Sequence, residues 1–320
     1  MIEVNNLTKY YGDHKAVDHI SFFIQDGTVC GFLGPNGAGK STTMNIMTGC
    51  LSATEGTVSI CGFDIFENPM EAKRMIGYLP EQPPLYYEET PREYLRFVAE
   101  AKKIPRASIS DEIERIMEET QISGVADRLI KNLSKGYKQR VGIAQTLLGN
   151  PKVIILDEPT VGLDPIQVVE IRDLIKSLGK KHTVILSSHI LSEVQNMCDE
   201  ILIISKGNLI AYDTAENLEK MFLPKATIEI LTDATKQECE DILSQVSGVE
   251  KTEFSGEEKG FLHVLIDTSP EKELEIRKVL SLRFAKENRA ILKLDTVKAN
   301  LEDIFIELTH PEEKREEESK

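Results

Sequence analysis

A glycine-rich loop at residues 34–42, with the sequence GPNGAGKST, constrains this chain most. It fits the spacing G-x-x-x-x-G-K-[ST], in which small residues let backbone N–H groups turn inward around a polyphosphate. Lys40 supplies a positive charge for the β- and γ-phosphates, and the Ser41 hydroxyl is a ligand for Mg²⁺. The helix expected after the loop points its positive N-terminal end at the same anion. The loop therefore predicts a site for a nucleoside triphosphate.

The segments on either side of the loop agree with this interpretation. Residues 28–34, TVCGFLG, predict a short buried strand that leads into the loop. Residues 41–51 predict the following helix, because Met44, Met47 and Leu51 recur at helical spacing. The alternative, a glycine-rich turn that fits the pattern by chance, does not account for a strand before it and a helix after it.

A second candidate site follows the apolar run VIIL at residues 153–156, which predicts a strand buried on both faces of a parallel sheet. The run ends at Asp157 and Glu158, and open α/β sheets bind ligands at the carboxyl ends of their strands. We expect Asp157 to hold Mg²⁺, directly or through water, and Glu158 to polarise a water for attack on the γ-phosphate. An exposed acidic turn before Pro159 is the alternative for this segment taken alone.

Further motifs lie in a fixed order along the chain. They are LTKYYG near the N-terminus, the phosphate loop, YLPEQPPLY, NLSKGYKQRVGIAQ, VIILDEP with the VGLD that follows it, and TVILSSH. Over residues 1–222 this set and its order resemble the ATP-binding subunit of ABC transporters. The resemblance implies a P-loop NTPase fold of the α/β class that uses ATP and Mg²⁺.

The resemblance also implies a role for each residue of the nucleotide motifs. Tyr11 would stack on adenine, and Asp157 and Glu158 would be the Walker B aspartate and the catalytic glutamate. The Walker A loop would contact ATP through residues that span the motif: Gly34, Asn36, Gly37, Ala38, Gly39, Lys40, Ser41 and Thr42.

Three other motifs carry roles by the same resemblance. Gln82 would sense Mg²⁺ and the partner subunit, so that the metal would be held by Ser41, Gln82 and Asp157. Residues 162–164, GLD, would be the D-loop. His189 would be the switch histidine that contacts the γ-phosphate and acts with Glu158 in catalysis. Taken alone, a lone Tyr, Gln or His in such places more often packs, caps or is solvated.

The signature motif departs from the family pattern LSGGQ, because residues 133–137 read LSKGY. Ser134 and Gly136 are kept, and they suit contact with the γ-phosphate of a second chain, through a hydroxyl and a close backbone approach. Lys135 and Tyr137 are not the usual residues. Similar SKG forms occur in the ABC-2 exporter branch, so we interpret the site as active.

The amino-acid composition limits the kinds of partner that we expect this chain to bind. The chain has 320 residues, 41% of them hydrophobic and 28% charged, and a net charge of −15. This acidic balance argues against a broad nucleic-acid surface and against independent docking on anionic lipid. We find no apolar run of the roughly 18–20 residues that span a membrane and no signal-peptide core at the N-terminus. The five dispersed cysteines predict reduced, buried thiols.

The sequence divides into two predicted domains. Residues 84–150 resemble the helical subdomain of the cassette, which occupies residues 1–222. Residues 224–310 follow the order β-α-β-β-α-β of a ferredoxin-like α+β domain, with a turn at 255–260 and a last helix at 300–309. We interpret this unit as a regulatory or dimerising module. The charged end, residues 311–320, predicts disorder.

The predicted function is therefore an ATP-hydrolysing subunit. Two copies, or one copy and a homologous subunit, would bind two ATP molecules head to tail and drive a separate integral membrane permease, of the ABC-2 export type. The protein would lie in the cytoplasm, held at the inner face of the membrane by that permease without inserting into lipid. Two alternatives are a soluble ABC ATPase that acts on ribosomes or DNA and a regulatory cassette without turnover. The cargo is not readable from the motifs.

Overall fold

A computed structural model describes residues 1–222, 226–258 and 260–297. Tertiary contacts divide the chain into two compact units, one formed by Met1–Ala215 and one that begins at Glu216. The predicted domain boundary at 223–224, the predicted helix at 300–309 and the predicted tail at 311–320 lie outside the described residues. Within the described residues, no helix is both long enough and apolar enough to span a membrane.

The first unit contains ten strands and seven complete helices in the described part of the chain. The strands are β1 (Ile2–Tyr11), β2 (His14–Ile24), β3 (Val29–Leu33), β4 (Glu55–Ile60), β5 (Phe63–Asp64), β6 (Ile76–Leu79), β7 (Val153–Leu156), β8 (Thr183–Ser188), β9 (Glu200–Ser205) and β10 (Asn208–Asp213). The helices are α1 (Lys40–Met47), α2 (Pro69–Arg74), α3 (Pro91–Ala101), α4 (Arg106–Glu119), α5 (Lys135–Leu147), α6 (Pro165–Gly179) and α7 (Leu191–Met197), with short 3₁₀ turns at Ser123–Val125 and Ile130–Asn132.

A six-stranded sheet forms the centre of this unit. Its order is β10-β9-β3-β8-β7-β6; β9 and β10 pair antiparallel, and the other neighbours are parallel. Strands β3, β7 and β8 are buried along their whole length, as parallel strands covered on both faces are. Because β8 lies between β3 and β7, the segments that follow these three strands leave the sheet side by side at its carboxyl edge.

A second, antiparallel sheet has the order β2-β1-β4-β5. One hydrophobic core joins this sheet to β3 and to α1, and it contains the edge-to-face pair Phe22 and Phe32, whose ring centroids are 5.7 Å apart. Helix α1 ends at Met47, earlier than the predicted limit of residue 51. Gly49 has a φ of 66°, a left-handed conformation that ends the helix.

Helices α3, α4 and α5 lie between β6 and β7 in the chain, within the predicted helical subdomain. Helix α3 begins with a capping box, because the Thr90 side chain accepts a hydrogen bond from the N–H of Glu93 and the Glu93 side chain accepts one from the N–H of Thr90. Pro91 occupies the first helical position, where its missing N–H costs nothing. Local sequence therefore sets where this subdomain begins its first helix.

The second unit begins within α8 (Ala215–Phe222) and continues as β11 (Ala226–Thr232), α9 (Lys236–Leu243), β12 (Val249–Glu258), β13 (Phe261–Thr268), a 3₁₀ turn (Pro270–Lys272), α10 (Glu273–Lys286) and β14 (Ile291–Val297). From β11 to β14 the order is β-α-β-β-α-β. The strands form one antiparallel sheet in the order β12-β13-β11-β14, which is the ferredoxin-like arrangement. Its core is made by one face of the sheet and by apolar side chains of α9 and α10.

The turn predicted at residues 255–260 is wrong for most of its length. Strand β12 continues to Glu258, which pairs with Phe261 of β13. The register shifts between Phe254 and Gly256, so a bulge at Gly256, with a φ of 115°, keeps the strand paired. Pairing within the β12–β13 hairpin thus extends the strand through most of the predicted turn.

All five cysteines are free, and they differ in exposure. Cys30 and Cys239 are buried, as predicted, whereas Cys50 is exposed and Cys61 and Cys198 are partly buried. The prediction of uniform burial is therefore wrong. Cys50 is exposed because it follows the C-terminal end of α1, where the chain turns at the surface.

Candidate functional site

The phosphate loop joins β3 to α1, as the sequence predicts, and two of its glycines are required by close packing. A Cβ added at Gly34 would lie 2.4 Å from the Ile204 carbonyl oxygen, and one at Gly39 would lie 2.6 Å from the Ala16 carbonyl oxygen. Gly39 also has a φ of 107°, which disfavours any other residue. The loop therefore keeps its shape because backbone from other strands presses against it.

Lys40 is buried beneath this loop. Its Nζ donates hydrogen bonds to the carbonyl oxygens of Gly34 at 2.7 Å and Pro35 at 3.3 Å, and it lies 3.5 Å from Glu158 Oε1. The side chain is only about 6% exposed. The ammonium group thus holds the loop in position and lies beside the carboxylate proposed for catalysis.

Asp157 follows β7 and lies beside the first residues of α1. Its Oδ1 accepts hydrogen bonds from the Ser41 hydroxyl at 3.3 Å and from the Ser187 hydroxyl at 2.6 Å, and the residue is 3% exposed. A carboxylate and a hydroxyl are hard oxygen donors, and Mg²⁺ binds to proteins through one or two such groups together with phosphates and water. Ser41 and Asp157 therefore fit the metal that the sequence predicts.

Glu158 has an unusual backbone, with a φ of 48°. This left-handed conformation costs a residue other than glycine about 1–3 kcal/mol, and such strain clusters at functional sites. Its N–H donates to the Ser187 hydroxyl at 2.8 Å, and its Oε2 lies 3.0 Å from His189 Nδ1. Glu158 is 8% exposed. The fold thus directs this carboxylate between a lysine and a histidine at the mouth of the phosphate loop.

A cavity in front of the loop brings together most of the predicted site residues. The predicted residues that line it are Tyr11, Asn36, Gly37, Gly39, Lys40, Ser41, Thr42, Glu158 and His189. His14, Ala16, Glu81 and Val161 also line it, without having been predicted. Gly34, Ala38 and Asp157 lie behind the cavity wall, where Ala38 and Asp157 are buried.

Gln82 differs from the other predicted residues, because it is exposed and does not line this cavity; its neighbour Glu81 does. Gln82 therefore lies outside the cavity that Ser41 lines. Tyr11 lies at the end of β1, is 50% exposed, and has its ring centroid 5.5 Å from Lys9 Nζ. Tyr11 thus lines the cavity with half of its surface exposed to solvent.

The signature residues Ser134 and Gly136 lie in a different cleft, which shares no lining residue with the phosphate-loop cavity in the described part of the chain. The Ser134 side chain caps α5 by accepting from the N–H of Tyr137. A Cβ added at Gly136 would meet Gln167 of α6 at 2.8 Å, so this glycine lets α5 and α6 approach each other. The cleft thus presents the N-terminal end of α5 away from the chain's own phosphate loop.

The two unusual signature residues have identifiable places. Lys135 reaches back over the turn after β7, so that a Cβ added at Gly162 would lie 2.0 Å from its Nζ. Tyr137 is 40% exposed and lines the cleft with Ser134. Neither residue interrupts α5, which runs unbroken from Lys135 to Leu147.

Comparison with known proteins places the chain in a family. A family model described as ABC transporter matches residues 17–161. The chain is 36% identical over 317 residues to the ABC transporter ATP-binding protein YhcH of Bacillus subtilis, with 97% of this chain and 96% of that protein covered. It is 40% identical over 222 residues to the bacitracin transport ATP-binding protein BcrA of Bacillus licheniformis, with 69% and 72% covered.

A solved structure agrees with these relatives. The chain is similar, with a TM-score of 0.60 and 25% identity, to the dimeric structure of the ATP-binding cassette MJ0796 in a post-hydrolysis state bound to ADP and Pi. The match covers 67% of this chain and 98% of that one. Motif order, fold, site geometry and relatives agree, and the chain belongs to the ABC transporter family as an ATP-binding subunit.

Proposed function

We propose that this chain hydrolyses ATP at sites shared between two ATP-binding subunits and thereby drives a separate membrane permease. The observation that carries the proposal is one set of contacts around a single cavity. Lys40 and His189 flank Glu158, and Ser41, which lines the same cavity, contacts the buried Asp157. A cation, a carboxylate for water and oxygen ligands for Mg²⁺ are the parts that phosphoryl transfer to water needs.

The proposed roles follow from these positions. Loop N–H groups and Lys40 bind the phosphates, and Tyr11 stacks on the base. Glu158 accepts a proton from the attacking water. His189, which is hydrogen-bonded to Glu158, orients that carboxylate and contacts the γ-phosphate. When bound through Ser41 and Asp157, Mg²⁺ neutralises charge on the phosphates. Gln82 would act after a movement of its loop, since it is outside the cavity in this conformation.

Ser134 and Gly136 complete the site of a second chain in this proposal. Their separate cleft supports an arrangement in which each chain offers its phosphate loop to one ATP and its signature to the other. The second chain is another copy of this protein or a homologous subunit. The N-terminal end of α5 then adds its positive dipole to the γ-phosphate side of that ATP.

Mixing two inactive variants tests this arrangement. Lys40→Ala damages the phosphate loop, and Ser134→Arg places a bulky charge in the signature. In a head-to-tail dimer of the two variants, one site carries both defects and the other carries neither. We expect each variant alone to be inactive in steady-state ATPase assays and the mixture to recover activity.

The control for this experiment is a mixture of Lys40→Ala with Glu158→Gln. Both changes act on the same chain's side of the site, so every site of a mixed dimer keeps one defect. Recovery in this control, or no recovery in the Lys40→Ala and Ser134→Arg mixture, would contradict sites shared between two chains.

We assign the permease contact to an aromatic surface that follows Gln82 in the chain. Tyr86, Tyr87 and Phe97 are 48%, 52% and 49% exposed, and the Tyr86 and Phe97 ring centroids are 5.0 Å apart. Aromatic side chains are enriched at protein interfaces, and tyrosine is enriched among the residues that contribute most to binding. A contact here would connect the permease to the loop that carries Gln82.

Replacing Tyr86 and Phe97 by alanine tests this surface. We expect the double variant to keep its basal ATPase rate and to bind the permease about 30-fold more weakly, since an anchor residue contributes about 2 kcal/mol or more. Phe23→Ala is the matched control, because Phe23 is 43% exposed on β2, in the other sheet. Equal permease binding by the double variant and the wild type would exclude this surface.

The finer features of the function rest on similarity. The bacitracin transport protein, 40% identical over 222 residues, supports a transport role. We propose export through an ABC-2-type permease, at the inner face of the membrane. YhcH matches over 97% of this chain, which includes the second unit. We propose that the domain predicted at residues 224–310 is an accessory module that regulates or stabilises the dimer.

A further inference from the structure

We infer that Ser187 is a positioning residue for ATP hydrolysis: its one hydroxyl sets the orientation of the Asp157 carboxylate and holds the backbone of Glu158. The inference rests on the roles proposed above for these two acidic residues. Ser187 lies in the motif TVILSSH, where the sequence assigns a chemical role only to His189.

The strand register places Ser187 between the two acids. Strands β7 and β8 are parallel, and Leu156 is paired with Leu186. Asp157 and Ser187 are the residues that follow this pair, and they therefore lie side by side at the carboxyl edge of the sheet. Ser187 is fully buried, with 0% of its surface exposed.

The hydroxyl makes two hydrogen bonds in opposite senses. It donates to Asp157 Oδ1 at 2.6 Å and accepts from the Glu158 N–H at 2.8 Å. The first bond limits rotation of the carboxylate proposed to hold Mg²⁺. The second satisfies a buried N–H in a residue whose φ of 48° is strained, so it helps to keep Glu158 in the conformation that directs its side chain towards His189.

No neighbouring hydroxyl in the described structure has both of these contacts. Ser41 Oγ also reaches Asp157 Oδ1, at a longer 3.3 Å, but it is the group that the metal requires. The Ser188 hydroxyl accepts from the Ile190 N–H at 3.0 Å and donates to Glu193 at 3.4 Å, on the other face of the strand. Among the described residues, the Ser187 hydroxyl therefore links the carboxylate proposed to hold Mg²⁺ to the backbone N–H of Glu158.

The expected effect is on turnover and on metal dependence, with little effect on nucleotide binding. Hydrogen bonds that orient a metal-binding carboxylate typically contribute about ten- to hundredfold in metal affinity or activity. Ser187→Ala should lower kcat by about this factor and raise the Mg²⁺ concentration needed for half-maximal rate. Metal-free ATP affinity should stay within about threefold of wild type, because the loop and Lys40 are untouched.

The experiment measures kcat, Mg²⁺ dependence and metal-free ATP affinity for the full chain with Ser187→Ala, Ser187→Cys and Ser187→Thr. Cysteine keeps the shape but is a weak donor and acceptor, so it should behave like alanine. Threonine keeps the hydroxyl and suits a strand, so it should recover most of the loss. Thr183→Val is the control: it removes a buried hydroxyl at the other end of β8, where Thr183 accepts from the Gly27 N–H at 3.0 Å.

The outcomes separate a positioning role from a structural one. The inference is overturned if Ser187→Ala or Ser187→Cys has the kcat and Mg²⁺ dependence of the wild type. It is also overturned if Thr183→Val loses as much kcat as Ser187→Ala, or if Ser187→Thr has a kcat no higher than Ser187→Ala. If the alanine variant does not fold, the cysteine and threonine pair decides by the same criteria. The ATPase rate of Glu158→Gln is measured in parallel. If Glu158→Gln hydrolyses ATP at the wild-type rate, the proposed function is wrong. If Glu158→Gln is inactive and Ser187→Ala has the wild-type rate, only the inference about Ser187 is wrong.

Discussion

Replacing Glu158 by glutamine should lower ATP turnover by about 100- to 10,000-fold, which is the usual contribution of a positioned general base. The amide has nearly the shape of the carboxylate, so the phosphate loop stays intact and ATP still binds. The contacts of Glu158 support this size of effect, because its carboxylate lies 3.0 Å from His189 and 3.5 Å from Lys40 in a nearly buried position. Loss of hydrolysis with binding retained should also trap the closed dimer with ATP and Mg²⁺.

Steady-state ATPase rates, ATP affinity by calorimetry and size-exclusion chromatography with ATP and Mg²⁺ measure these effects. Glu67→Gln serves as the control, because it makes the same change of charge at an exposed position outside the cavity. Turnover near the wild-type rate in Glu158→Gln would remove Glu158 from its proposed role. A monomer in the presence of ATP and Mg²⁺ would contradict the trapped dimer.

Replacing Lys40 by alanine should weaken nucleotide binding by about ten- to hundredfold, because a charge-assisted hydrogen bond to a desolvated phosphate contributes about 1.5–3 kcal/mol. The structure adds a second reason for a large effect. Lys40 Nζ also donates hydrogen bonds to the carbonyl oxygens of Gly34 and Pro35, so its removal should make the loop less rigid. It further leaves the buried Glu158 carboxylate without its neighbouring cation.

Calorimetry with ATP and with ADP measures this loss. The matched control is Lys73→Ala, since Lys73 Nζ donates to the Gly49 carbonyl oxygen at 3.1 Å, beyond the other end of α1. We expect the control to bind nucleotide as the wild type does. An unchanged ATP affinity in Lys40→Ala would contradict the position of the whole loop.

The parts of the site that are local in sequence could be predicted from it. The phosphate loop needs small residues because the backbone of other strands packs closely against it, and the sequence has glycine at the two closest contacts, Gly34 and Gly39. The apolar run before Asp157 predicted a buried parallel strand, and β7 is buried throughout. Local sequence also sets two helix starts, because Pro91 and Pro165 each occupy the first helical position, where a missing N–H costs nothing.

Two predictions made from local sequence were wrong. The polar, glycine-containing stretch at 255–260 predicted a turn, but its backbone groups pair with β13 as far as Glu258. The even spread of cysteines predicted burial, but Cys50 is exposed. In both cases the outcome depends on which surface a neighbouring element covers, and local composition does not carry that information.

The sequence by itself determined the class of fold, the phosphate loop and the identity of the charged groups around it, because each is specified by residue types within a few positions. Only the tertiary structure decided how those groups meet. The strand order puts β8 between β3 and β7, which brings His189 to Glu158, Lys40 to the same carboxylate, and Ser187 between the two acids. It also leaves Gln82 outside the cavity. These contacts join residues that are 29 or more positions apart, in different strands, helices or the segments that follow them, so they depend on sheet pairing and burial, which no short stretch of sequence specifies.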